Sequence, residues 1–189
     1  FADGEQFVYS PEKAKALLAE AGVEGNYPLT NIYYDPDPLA RDAQKALVTG
    51  MKAAGFDLTG IPVEVSPYDI WLNPDDKTNK KLNLRGVNWC SDWPSGLTMI
   101  PPLLKTGGPY NTAQFSEPAI DEEMNSISSM PLDEQAAAWG AVDEKIGTEY
   151  FPLIPTAFRN EMMSYGEGVG GFFGDPSFGS PYYKGLFVK

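Results

Sequence analysis

Apolar residues recur at helical spacing soon after the chain begins: Ala14, Leu17, Leu18 and Ala21 follow Ser10-Pro11 and end at Gly22. A serine oxygen caps free N–H groups, proline suits the first helical position and glycine suits the stop, so the pattern predicts a short helix between Ser10 and Gly22. Residues 29–34 are rich in apolar and aromatic side chains and run into Asp35-Pro36-Asp37-Pro38, which predicts a strand followed by a turn. A second helix is expected next, with Ala40, Ala43, Leu47, Gly50, Met51 and Ala54 on one face and Gly55 at its end. Residues 61–65 predict a short strand with Pro62 near its start, where a missing donor does least harm. The polar run 73–81 is expected to be a surface connection, and 82–90 a third strand stopped at Pro94. Alternation of strand and helix argues for the α/β class, a sheet covered by helices, in which ligands lie beyond strand ends.

Two more helices are expected, over about 118–129 and 132–147, the second carrying Leu132, Ala136, Trp139, Val142 and Ile146. Residues 151–158 predict a strand interrupted by Pro152 and Pro155. Beyond Glu161, glycines at 166, 168, 170, 171, 174 and 179 break every period, and only 182–188 regains a strand pattern. No internal repeat is present.

The chain has 189 residues and 42% hydrophobic content, enough for one real core. Its formal charge of −12 repels phosphate backbones and anionic membrane surfaces, so nucleic acid is not the expected partner. Histidine is absent and Cys90 is the single cysteine. Ser-His-Asp and Cys-His catalysis, zinc sites built on His or paired Cys, and an internal disulfide therefore cannot be assembled, and no catalytic residue, metal ligand or cofactor is assigned. No apolar stretch approaches the roughly 20 residues of a membrane span. The chain opens at Phe1, so a signal peptide or lipid-anchoring cysteine would lie upstream.

The segment Asn88-Trp89-Cys90-Ser91-Asp92-Trp93-Pro94 sets one carboxylate between two indoles at the expected mouth of the sheet. A carboxylate there can hold an ammonium group, while the indoles cover apolar parts of a ligand or a cation. Spacing alone leaves a second reading open, with Trp89 in the core and Asp92 in a turn or cap.

Four segments together resemble the family-5 extracellular solute-binding proteins, which include oligopeptide-, dipeptide- and nickel-binding members. They are the helix from Tyr9 to Gly22, the segment from Trp89 to Pro94, the loop and helix start from Tyr110 to Asp121, and the end from Gly170-Gly171-Phe172 through Lys189. The resemblance implies a two-lobed clamshell of the type II periplasmic-binding-protein kind. Residues 1–158 would form its second, ligand-binding lobe, a mixed sheet flanked by helices, and 159–189 would return toward the first lobe through a hinge at 156–160. It also implies a carrier rather than an enzyme: the periplasmic or extracellular substrate-binding component of an ABC transporter. Such a carrier delivers a short peptide or another amine-bearing solute to a permease and touches the membrane only through an upstream lipid anchor.

In peptide-binding members the motif aspartate receives the ligand's amino terminus. Asp92 is therefore the first candidate contact, Trp89 and Trp93 are walls, Cys90 and Ser91 follow, and Asn111 lies in the matching loop. Peptide-binding relatives can carry arginine three residues before the motif tryptophan. This chain has Gly86 there and Arg85 one position earlier, on the opposite face of a strand. An isolated lobe is expected to bind feebly, since closure of both lobes supplies the opposing contacts.

Two alternatives stand beside this reading. Trp71, Trp89, Trp93 and the tyrosines offer flat faces for an oligosaccharide, and a carboxylate-dependent glycoside hydrolase would need a second acid across a cleft from Asp92. Asp121, Glu122 and Glu123 fall in a first helical turn, where negative charge suits the dipole. The glycines from 168 to 174 do not fit a dinucleotide pattern, and Tyr33 and Tyr34 are expected to pack on their strand.

Overall fold

A computed structural model describes residues 8–156, 162–175 and 179–189. The chain divides into two compact units, Phe1–Val87 and Asn88–Lys189. The proposed hinge at 156–160 falls almost wholly outside the described residues, as do the last two positions of the strand expected over 151–158.

In the first unit, α1 (Pro11–Glu20) begins where Ser10 accepts a hydrogen bond from Lys13 N at 3.3 Å, and ends before Gly22, whose φ of 76° is left-handed. Strands β1 (Tyr27–Tyr34) and β2 (Phe56–Val63) pair in parallel, from Tyr27 opposite Phe56 to Tyr34 opposite Val63. Helix α2 (Pro38–Ala53) connects them, capped by Asp37, which accepts from Leu39 N at 2.9 Å. A parallel pair needs such a crossover, and the unit is a βαβ motif. On one face of the sheet Ile32, Ile61 and Val63 pack with Ile70 of α3 (Pro67–Trp71), Trp71 and Leu82.

The other face carries Asn31, Leu58 and Gly60 and is covered by α2 through an amide pair. Asn31 Nδ2 donates to Gln44 Oε1 at 2.9 Å, and Gln44 Nε2 donates back to Asn31 Oδ1 at 3.0 Å. Gln44, not Ala43, is therefore the buried residue of α2, and Ala43 is exposed. Gly60 makes room for it, since a Cβ there would stand 2.4 Å from Gln44 Nε2. Gln44 cannot retreat without breaking its pair with Asn31, so Gly60→Ala is expected to destabilise the first unit by about 1–3 kcal/mol, read as a lower urea midpoint.

Three strand expectations need correction. The second strand begins at Phe56 rather than at 61, so Pro62 lies near its end. Residues 82–90 form no strand. Asn83 lies against the edge of β1, where its Oδ1 accepts from Thr30 N at 2.7 Å and its Nδ2 donates to Pro28 O at 2.9 Å, while Asn83 N and Leu84 N both reach Thr30 O. A side chain thus occupies the positions a third strand's backbone would need. Residues 151–156 form no strand: the preceding helix runs into a wide turn over Ile146–Tyr150, and Phe151 exits it left-handed at φ 53°. The run 73–81 is also no mere surface connection: Asn79, in a 3-10 turn, is 1% exposed.

In the second unit, α4 (Ile100–Leu104), α5 (Pro118–Ile127) and α6 (Leu132–Lys145) bury Ile100, Leu103, Leu104, Ile120, Met124, Ile127, Trp139 and Val142. Asp121 of α5 accepts from Thr106 N at 3.0 Å, and Glu123 pairs with Lys145 of α6, so both acids brace the fold. The hydrogen bond that Lys145 Nζ donates to the Glu123 carboxylate is the main cause that raises the Lys145 ammonium above its ordinary value. The glycine-rich end forms two short antiparallel ladders. One joins β3 (Val169–Gly170) to β6 (Phe187–Val188) and the other joins β4 (Gly174–Asp175) to β5 (Ser180–Pro181). Within 182–188 only Phe187 and Val188 pair, after a 3-10 turn over Tyr183–Gly185. The α/β class stands, with its parallel and antiparallel pairings in separate small sheets.

Candidate functional site

The motif from Asn88 to Pro94 opens the second unit as irregular backbone and runs into a 3-10 turn over Gly96–Thr98. Ser95 caps that turn, accepting from Leu97 N at 3.2 Å. Trp89 is half-buried. Its Nε1–H donates to Thr98 O at 2.7 Å, and its ring lies 4.1 Å from that of Tyr110, tilted by 38°. One edge and one face of this indole are thereby fixed. Trp93 is 53% exposed, and its carbonyl lies 3.0 Å from the Thr98 hydroxyl, which also lies 3.0 Å from Ser95 O.

Asp92 is exposed between these two tryptophans, and its carboxylate makes no hydrogen bond or ion pair among the described residues. The carboxylate is therefore not consumed as a turn or cap group, and both oxygens can accept from an incoming donor. Cys90 is exposed with a free thiol, and Ser91 is half-buried. Asn111 is occupied differently. Its Nδ2 donates to Lys105 O at 3.0 Å and to Phe115 O at 2.7 Å, while its Oδ1 accepts from Phe115 N at 3.0 Å. Both amide hydrogens brace the loop, and one lone pair on Oδ1 is what Asn111 can still offer.

Sequence reasoning missed Thr98, which is 3% exposed. Its carbonyl holds the Trp89 indole and its hydroxyl holds the Trp93 backbone, so one buried residue braces the chain on both sides of Asp92 in sequence. The available signal was local: a threonine three residues after a serine cap, in a turn.

Arg85, in the first unit, does not follow the strand-face argument, because its segment is not a strand. Its Nε donates to Asn79 Oδ1 at 2.8 Å and its Nη2 to Asn79 O at 3.1 Å, and partial burial holds the guanidinium below its ordinary value. Gly86 lies against Trp71, where a Cβ would stand 2.7 Å from Cη2. The indole of Trp71 thus fills the space that any side chain at position 86 would need. Trp71 itself packs edge-on against Tyr68 at 5.4 Å and onto the core, which leaves it a packing residue rather than an open platform. Among the described residues no helix is long and apolar enough to cross a membrane.

The family model for bacterial extracellular solute-binding proteins, family 5, middle segment, matches residues 1–111. The chain is 23% identical over 178 residues to the periplasmic oligopeptide-binding protein of Salmonella typhimurium, covering 94% of this chain and 32% of that protein. Its fold is similar to that of the clavulanic acid biosynthesis oligopeptide binding protein 2, at TM-score 0.75 and 20% identity over 92% of this chain and 32% of the other. It is also similar to the dipeptide binding protein of Pseudoalteromonas in complex with Met-Leu, at TM-score 0.67 and 20% identity over 95% and 36%. The chain spans about a third of the length of these relatives.

Proposed function

The chain belongs to the family-5 bacterial extracellular solute-binding proteins, and from that premise we propose that it is part of the substrate-binding component of an ABC importer. In this reading it captures a short peptide or another amine-bearing solute outside the cytoplasmic membrane, hands it to a permease and performs no chemistry. Residues 1–158 contribute the ligand-binding lobe and 159–189 return toward the other lobe.

The observation that carries the proposal is the Asp92 carboxylate, exposed and unpartnered among the described residues between the anchored Trp89 and the open Trp93. An ammonium group would meet a full negative charge there and form charge-assisted hydrogen bonds. The indole of Trp93 would cover the adjoining carbons or the cation itself. Backbone groups of Cys90 and Ser91 lie beside the acid in sequence and complete the candidate set, with Asn111 limited to the remaining lone pair of its Oδ1.

Native mass spectrometry of the complete protein, purified from its own cells, tests this reading. The expected result is a retained mass that fragments as a peptide or amine. A retained neutral oligosaccharide would overturn it.

A further inference from the structure

Helix α2 carries Arg41, Gln44, Lys45 and Val48 at positions i, i+3, i+4 and i+7, which places all four on one helix face. Together with Tyr33 of β1 and Gly60 of β2 they line a groove of about 420 Å³, a volume within the range of small-molecule sites. Both charged residues in its lining are cations, in a chain whose formal charge is −12. The groove lies wholly within the first unit and shares no residue with the Asp92 motif.

Three features give this groove the chemistry of an oxyanion site. First, Arg41 is half-buried and spends only Nη1, which donates to Asp35 O just past the end of β1. That bond pins the guanidinium. Its Nε–Nη2 edge, which can meet a carboxylate through two parallel hydrogen bonds, has no protein partner among the described residues. Second, the other donors are available. The Tyr33 hydroxyl has no partner among the described residues, and Lys45 is tied only to Asp42, in an exposed pair at 2.9 Å. Exposed pairs of this kind contribute little and yield to a competing anion. Third, the polar Gln44 is built into the groove at only 7% exposure. Its Nε2 gives one hydrogen to Asn31 Oδ1 and has no second acceptor among the described residues. Buried donors are normally spent, so this one fits a place where a hydrogen-bonding ligand arrives.

We propose that this groove binds a small organic carboxylate, held side-on by Nε and Nη2 of Arg41 and flanked by the Lys45 ammonium and the Tyr33 hydroxyl. The carbon chain of the ligand lies along Val48 and the Tyr33 ring. A bare inorganic anion would leave that apolar lining and much of the volume unused, and an amine would meet two like charges. The site is independent of the reading of Asp92 and takes a ligand group of the opposite charge.

The full chain can be tested by NMR, because its arginines are few, Arg41, Arg85 and Arg159, and Arg→Lys variants assign their Nε–H resonances. Butyrate, acetate, butyramide and inorganic phosphate at millimolar concentration serve as probes. Butyrate is expected to move the Arg41 resonance and to leave that of Arg85, already bonded to Asn79, in place. It should bind about 3- to 10-fold more tightly than acetate, the gain from partly burying two further methylenes. Butyramide, with the same shape and no charge, should not bind. Arg41→Gln is expected to weaken butyrate binding about 10-fold or more. That variant also removes the bond to Asp35 O, so Lys45→Gln and Tyr33→Phe, which keep it, give an independent measure and should each cost about 3-fold. An Arg41 resonance unmoved by butyrate, equal binding of butyrate and butyramide, or an affinity unchanged in Lys45→Gln and Tyr33→Phe overturns the site. Phosphate held more tightly than butyrate overturns its assignment to a carboxylate.

Discussion

Asp92→Ala in the complete protein is expected to weaken capture of an amine-bearing ligand by about 10- to 150-fold, the equivalent of about 1.5–3 kcal/mol for a hydrogen bond to a charged group. The size of the effect follows from what the carboxylate lacks. It has no ion-pair or hydrogen-bond partner among the described residues that would have to be displaced before a ligand is bound. Asp92→Asn keeps shape and loses charge, so a similar loss in that variant assigns the effect to charge. Titration calorimetry gives the dissociation constants, and the same measurement at rising pH should show affinity falling as the ligand's amine, with an ordinary value near pH 8 for a peptide amino terminus, loses its proton. A dissociation constant unmoved by Asp92→Ala would remove the anchor from the mechanism.

The second large effect is structural. Asn79 is 1% exposed and its side chain serves three partners: Nδ2 donates to Trp71 O at 3.2 Å and to Asn73 O at 2.8 Å, and Oδ1 accepts from Arg85 Nε. Asn79→Leu keeps roughly the same volume but leaves two carbonyls and a partly buried guanidinium without this partner. Each unsatisfied buried group costs about 1–3 kcal/mol, so a loss of about 3 kcal/mol or more is expected in urea unfolding. Arg85→Met made alone and together with Asn79→Leu closes a double-mutant cycle, and the two losses should not add, because the residues share one interaction. Strict additivity would show that the Arg85 contact contributes nothing to the fold.

The four longer helices were legible in the sequence because their periods and starts are written locally, whereas the five-residue α3 and α4 were not read. Ser10-Pro11, Asp37-Pro38 and Glu117-Pro118 each place an oxygen acceptor just before a proline at the first helical position, and each begins a helix. Strands were less legible because their evidence is partly elsewhere in the chain. Residues 82–90 carry a strand-like composition, yet the amide of Asn83 takes the hydrogen bonds at the edge of β1. No pattern of apolar residues announces that a side chain will substitute for backbone. Asn79 escaped notice for a similar reason: it sits in a lysine-bearing run, and only the fold shows that its amide points inward while Lys80 and Lys81 stay exposed.

The candidate site divides the same way. Asp92 and Trp93 were readable as residue types whose chemistry lies in their own side chains. Thr98 and Gly96 were not, since one acts through a carbonyl and a hydroxyl aimed at neighbours, and the other acts by having no side chain against Trp139. Asn111 was read as a ligand contact from its place in the loop, and the structure gives its amide hydrogens to that loop.

Cys90 gives the molecule a practical property. It is the single thiol in 189 residues and it is exposed, two positions from Asp92. A maleimide dye would therefore attach once per chain, at a known address and without first removing competing cysteines. Because the neighbouring indole of Trp89 is clamped to Thr98, the fluorophore would sit beside a fixed quencher, and changes in its emission would report what arrives at the adjoining carboxylate.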